Sequence, residues 1–216
     1  MRRDEEIRDD ILAEIDWDPK IDSTDIGVTV KNGAVALMGT VSSYAEKLAA
    51  EEAAKRVKGV RAIAEEIKVR LPSDLRLDDE AIASRISNIL QWHSSIANFT
   101  IQAEVRNGFV SLTGEVDRNY QRDLAKMLVS GVSGVTAVSN LIKVKSKVLP
   151  TNVQREITRA LHRNADIEAS HVKVDVDGGR VTLKGNVKAW YERKLIEDAA
   201  WAAPGVTDVV DVIRIA

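Results

Sequence analysis

The chain has 216 residues, of which 44% are hydrophobic and 30% charged, with no cysteine and a formal net charge of −2. This is the composition of a globular protein that folds in water. It excludes disulfides and thiolate metal sites, argues against general nucleic-acid affinity, and holds no apolar run near the roughly 18 residues that a membrane-spanning helix needs.

The first predicted element is a helix. Ile7, Ile11 and Ile15 recur every four residues, which gathers them on one face. The helix leads through Trp17 into an acidic loop, DWDPKIDSTD, with Asp16, Asp18, Asp22 and Asp25. Carboxylates are hard-cation ligands, but this loop lacks the glycine and the closing glutamate of a calcium loop, with Gly27 in the last place. It reads as a solvated connection. Ile26, Val28 and Val30 then alternate with polar residues, the period of a half-buried strand. Asn32-Gly33 predicts a type I′ hairpin, whose two central residues both need positive φ. The returning strand holds Val35, Leu37 and Val41, and Gly39 within it permits a bulge or a close helix crossing; packing against a helix is the expectation. A second helix, YAEKLAAEEAAKRV, ends before Gly59, and a last strand ends in Ile67 and Val69.

This order is written three times. NGAVALMGTV at 32–41 returns as NGFVSLTGEV at 107–116 and GGRVTLKGNV at 178–187. The turn glycines Gly33, Gly108 and Gly179 are 75 and 71 residues apart, and Gly39, Gly114 and Gly185 precede Gly59, Gly134 and Gly205 by a constant 20. First-helix positions Ile82, Ile86 and Leu90, and Val153, Ile157 and Leu161, keep the same register. A repeat of this length governs the whole fold. The chain therefore reads as α+β: three tandem αββαβ domains at 1–71, 72–146 and 147–216, each with two helices on one face of a small three-stranded sheet. The strand order stays open. Leu71-Pro72 and Leu149-Pro150 mark short linkers, because proline disfavours helix at the residue before it. Units this small bury only about 60% of their unfolded surface, so contacts between copies are expected to add stability.

The αββαβ order, the turn-strand phrase with its internal glycine and the later Gly-Val before a strand resemble the BON domain, a bacterial module named for osmotically induced and nodulation proteins. The likeness spans almost the whole chain, with three copies in place of the familiar signal peptide and two. It implies a non-catalytic module that associates with anionic phospholipid surfaces or envelope proteins in osmotic or other stress. A protein-binding, chaperone-like scaffold is the alternative, and potassium binding, known for some cytosolic members, is a weaker one. The start, MRRDEEIRDD, has no apolar core behind its arginines. The expectation is a cytoplasmic protein, or a periplasmic one if the sequence is a processed form.

No catalytic constellation emerges. His93, His162 and His171 are far apart in register, and neither a metalloprotease helix motif nor a nucleophile elbow occurs. The glycine-rich turns join strand to strand, so they lack the helix N-terminus that a phosphate loop requires. No metal ligand and no cofactor is expected.

Basic residues carry the better signal. The copies hold 12, 8 and 11 Lys and Arg against 15, 8 and 10 Asp and Glu, so an anionic surface would approach the second or third more readily than the first. Arg155, Arg159 and Arg163, with His162 alongside, line one face of the third copy's first helix, and Val153, Ile157, Ala160 and Leu161 form its apolar stripe. The second copy's later helix carries Arg118, Arg122 and Lys126 beside Leu124, Met127 and Leu128. Trp201 occupies the register of Lys55 and Ser130, a polar face where an indole needs cover. A neighbouring copy, another chain in a homo-oligomer and a membrane interface are the candidates, in that order. Trp17 and Trp92 share a position just past the first helix, where Arg163 stands in the third copy, and are expected to be half-buried structural plugs. Tyr191, in register with Tyr120 and Ala45, is expected in the core.

Overall fold

The computed structural model describes residues 2–72, 77–145, 152–163 and 172–215. The first domain contains α1 (Asp4–Trp17), β1 (Ile26–Lys31), β2 (Ala34–Val41), α2 (Tyr44–Arg56) and β3 (Ala62–Val69). The second contains α3 (Asp79–Trp92), β4 (Ile101–Arg106), β5 (Phe109–Val116), α4 (Asn119–Ser130), β6 (Ala137–Asn140) and β7 (Lys143–Val144). The third contains α5 (Val153–Arg163), β8 (Val172–Asp177), β9 (Arg180–Val187), α6 (Trp190–Ala202) and β10 (Asp208–Ile215).

Each sheet places its second strand in the middle. The hairpin partners are antiparallel, Ile26 opposite Gly39 through Lys31 opposite Ala34, and the last strand returns parallel to the second after a helical crossover, Ala34 opposite Ala62 through Val41 opposite Val69. The third domain repeats this, β10 parallel to β9 and β8 antiparallel to it. In the second domain the last strand is interrupted, with β6 pairing the first half of β5 and β7 the second.

The helix periodicity is realised without change. Ile7, Ile11 and Ile15, Ile82, Ile86 and Leu90, and Val153, Ile157 and Leu161 are all buried. Opposite them lie Val35 and Leu37, Val110 and Leu112, and Val181 and Leu183 from the central strands. Ser43 caps α2 by accepting from the Glu46 N–H at 3.2 Å. The Glu46 carboxylate accepts from the N–H groups of Ser42 at 2.9 Å and Asp22 at 2.8 Å, tying the helix start to the loop before β1.

The glycine-rich turns are set by backbone geometry. Asn32 and Gly33 lie at φ 53° and 77°, and Asn107 and Gly108 at 51° and 74°, the type I′ geometry. In the third copy Gly178 is at 57° while Gly179 lies outside the left-handed region, so only one residue meets that demand. The turn-glycine carbonyls accept from Arg61 N–H at 2.8 Å, Thr136 N–H at 2.9 Å and Thr207 N–H at 2.8 Å, fixing each hairpin to the start of the last strand. The Asp4 carboxylate accepts from Asn32 and Gly33 N–H at 2.7 and 3.0 Å, and Asp79 from Asn107 and Gly108 at 2.7 and 2.9 Å. The third copy has Pro150 in that register, outside the described residues.

Gly39, Gly114 and Gly185, at φ 129°, 133° and 150°, differ from the expectation of a helix crossing. A Cβ on Gly39 would fall on the carbonyl oxygen of Asp25, and one on Gly114 on that of Thr100. The space is taken by the chain entering the first strand, so backbone approach and positive φ together require glycine.

The domains pack against one another. One continuous buried cluster runs through the second and third domains and takes in Tyr44 from α2, while Trp190 packs onto the separate core of the first.

Candidate functional site

The basic face of α5 is open. Val153, Ile157 and Leu161 face inward, and Arg155, Arg159, His162 and Arg163 are exposed. Arg159 lies 3.0 Å from Glu156, while Arg155 and Arg163 have no carboxylate partner among the described residues. His171 falls outside those residues.

The α4 stripe is arranged differently. Arg118 is exposed at the start of the helix and its N–H donates to Gln121 Oε1 at 3.0 Å. The Arg122 guanidinium stacks over the Trp201 ring at 4.5 Å from its centroid, and Lys126 is half-buried. The three residues thus share a helix but present no common free surface.

Trp201 is 9% exposed. Its indole N–H points to Glu197 of its own helix at 3.4 Å, and its ring lies against the second domain, near Arg118, Asn119, Tyr120 and Asp123 of α4. The inward line of α6 runs through Ile196 and Ala200, with Leu195 and Ala199 half-buried.

Sequence reasoning missed the other end of α6. Trp190 meets the first domain, and Arg193 lies over its ring at 5.1 Å. Its register partners are Asn119 and Tyr44, and both are buried at 6% and 8% exposure. Tyr44 is covered by the core that runs through the second and third domains and Trp190 by that of the first, so this position, one before Tyr191 in register, faces another copy in α2 and in α6. Tyr191 and Tyr120 themselves are 52% and 60% exposed, against the core assignment.

Trp17 and Trp92 correct a second expectation. They are 87% and 85% exposed, because each stands two residues past the last inward position, about 200° round the helix from the core line. In the acidic loop, Asp22 accepts from Thr24 N–H and Oγ1 at 3.1 and 2.6 Å, and these bonds hold its carboxyl below the usual range. Asp18 accepts from the Lys20 N–H at 3.1 Å and lies 3.7 Å from Arg56. Among the described residues no group of three or more His, Asp or Glu is arranged to hold a metal ion.

The three units match the family model described as the BON domain, at residues 3–70, 78–146 and 151–216. The chain belongs to the BON domain family. Among BON relatives, it is 33% identical over 137 residues to osmotically-inducible protein Y of Escherichia coli, covering 62% of this chain and 68% of that protein. It is 27% identical over 146 residues to outer membrane lipoprotein DolP of Haemophilus influenzae, covering 64% of this chain and 75% of that one. Among solved structures, CdsD, a structural protein of the type III secretion system of Chlamydia trachomatis, aligns with 98% of this chain and 92% of its own. Its identity is 17% and its TM-score 0.26, too loose a likeness to carry an argument.

Proposed function

We propose that this BON protein is non-catalytic and associates with anionic phospholipid surfaces through the exposed basic face of α5. The observation that carries the reading is the division of that helix: its apolar residues are spent in the core, while Arg155, Arg159, His162 and Arg163 face solvent, two of the arginines without an acidic partner among the described residues. A cation near an anionic leaflet contributes about 1 kcal/mol, so a group of three or four gives a reversible, salt-sensitive contact.

Two further features support it. The relatives are named for osmotic induction and for an outer-membrane lipoprotein. The exposed indoles of Trp17 and Trp92, at the corresponding helix ends of the other domains, combine an apolar body with a polar N–H and suit a membrane–water boundary. Contact at a surface requires no spanning segment, and among the described residues no helix is long and apolar enough to cross a membrane. The Arg118, Arg122 and Lys126 stripe ranks second, because Arg122 is engaged with Trp201.

The test is co-flotation with vesicles of phosphatidylglycerol and, separately, phosphatidylcholine. Wild-type protein is expected to float with the anionic vesicles at low salt and to release as salt is raised. The Arg155→Gln, Arg159→Gln, Arg163→Gln triple variant should lose that binding and keep its melting temperature within a few degrees. Equal flotation of the variant overturns the assignment to α5, and equal binding to both vesicle types overturns the electrostatic mechanism.

A further inference from the structure

The three first-strand edges are not alike. Among the described residues β1, β4 and β8 each pair with one neighbour, so each leaves an edge of backbone groups beside the domain's first helix. In the third domain the chain covers its own edge: Gln154 of α5 donates its side-chain amide to the carbonyl of Val174 at 2.7 Å. The first domain has Arg8 and Leu12 on that flank of α1, with Leu12 packed onto the core, and Ile26 and Val28 are both buried at 8% exposure.

The second domain has neither device. Ala83 stands where Gln154 and Arg8 stand, and Ser87 where Leu12 stands. Both are too short to reach the strand, and Ala103 remains half-buried where its counterparts Val28 and Val174 are buried. A groove of about 540 Å³ results, running between α3 and the β4 edge. Ala83, Ser87, Leu90 and Phe99 line its helix side, and Gln102 and Thr113 show that it continues past the edge to the other face of the sheet.

We propose that this groove binds an extended polypeptide segment of a partner protein, which adds to the second sheet at β4. The register identifies the chemistry required. Ala103 corresponds to Val174, whose outward carbonyl takes an amide N–H from Gln154, so the vacant acceptor in the second domain calls for an amide donor. A polypeptide supplies such donors at every second residue along an edge, and its alternate side chains reach the two sides of the groove. The charge of the lining selects the segment. It holds no lysine or arginine, and its one carboxylate, Glu104, is already engaged by Arg106, so an uncharged strand with small apolar and hydroxyl residues is matched to it. This binding is independent of α5 and of the lipid reading.

The experiment uses the full chain and a fluorescein-labelled octapeptide alternating valine with serine or threonine, followed by fluorescence anisotropy. Wild type is expected to bind. The A83Q/S87L variant, which borrows the residues of the third and first domains, should bind at least about tenfold more weakly with its melting temperature kept. The same peptide N-methylated at alternate amides should also fail to bind. The proposal is overturned if wild type does not bind the octapeptide, if A83Q/S87L binds it equally, or if N-methylation has no effect. Sedimentation velocity over a range of concentrations closes the alternative: self-association of wild type that A83Q/S87L abolishes would assign the groove to a second copy of the chain and overturn the partner-strand assignment.

Discussion

Among the differences between the second domain and its neighbours, one pair of positions bears on how the copies are joined. In the first domain Lys47 of α2 lies 2.7 Å from Glu65 of β3, and in the third Arg193 of α6 lies 2.6 Å from Asp211 of β10. The corresponding pair in the second domain is Arg122 and Asn140. Asparagine offers no charge. Its amide donates instead to the Arg122 carbonyl at 2.8 Å, and the guanidinium is left to stack on Trp201 of the third domain. A side chain whose charge is paired within its own copy in two domains is turned in the other towards the next copy, where it adds to the contacts of Tyr44 and Trp190.

What the copies share should be hardest to change. Gly39→Ala and Gly114→Ala place a methyl group on a carbonyl oxygen at positive φ, and each is expected to lower stability by about 4 kcal/mol or more in chemical denaturation. Gly178→Ala sharpens the contrast. Nothing lies within 4 Å of a Cβ there and φ is 57°, so only the left-handed backbone cost of about 1 kcal/mol applies. Equal losses at Gly39 and Gly178 would mean that φ, and not the approach of Asp25, makes the strand glycine necessary.

Trp201→Ala comes next, with an expected loss of about 3 kcal/mol for a buried aromatic truncated at an interface. Scanning calorimetry should then resolve the third domain as a separate, earlier transition. A single undivided transition would show that the remaining contacts between copies, Trp190 against the first domain among them, couple the domains without Trp201. Asn140→Asp probes the same contact more gently. The new carboxylate competes for Arg122, so a double-mutant cycle of Arg122→Ala with Trp201→Ala should fall from about 1 kcal/mol of coupling towards zero in that background.

The repeat, the order of elements, the hairpins and the inward face of each first helix were legible in the sequence, because they follow from period, turn chemistry and glycine spacing. Strand order was not, since the parallel return of β3, β6 and β10 depends on a crossover that leaves no periodic mark. The exposure of Trp17 and Trp92 follows from their position about 200° round the helix from Ile15 and Leu90. Trp190 is different: it lies off the inward line of its own helix and is covered by the first domain, a contact that no register within one copy marks. The basic residues on α5 were legible as a face, but that Arg155 and Arg163 have no carboxylate partner among the described residues is a three-dimensional fact, as is the engagement of Arg122. The open β4 edge was encoded as Ala83 and Ser87, small residues whose meaning appears only beside the Gln154 bond.

The smallest expected effect concerns Tyr44, which joins the first domain to the second. Burial pushes its phenol above the ordinary value, a hydrogen bond with the Val138 backbone opposes this, and the charges of Glu51 and Glu65 add to the rise. The folded state therefore favours the protonated phenol. Its contribution is complete below the unfolded value of about 10 and is lost as pH rises through the higher folded one. Lys55 and Lys194 are displaced in the same direction. Burial pulls each down, but hydrogen bonds to Glu51 and Glu52, and to Asp198, more than reverse it, so the whole protein should weaken in alkali. Comparing wild type with Tyr44→Phe isolates the phenol. Near neutral pH the variant should lose about 1 kcal/mol with its hydrogen bond. Above about pH 10 its stability should fall less steeply than that of wild type, since it has no phenol to ionise. Parallel denaturation curves through that range would show that the junction between the first two domains tolerates the phenolate, and that Tyr44 is held there by packing alone.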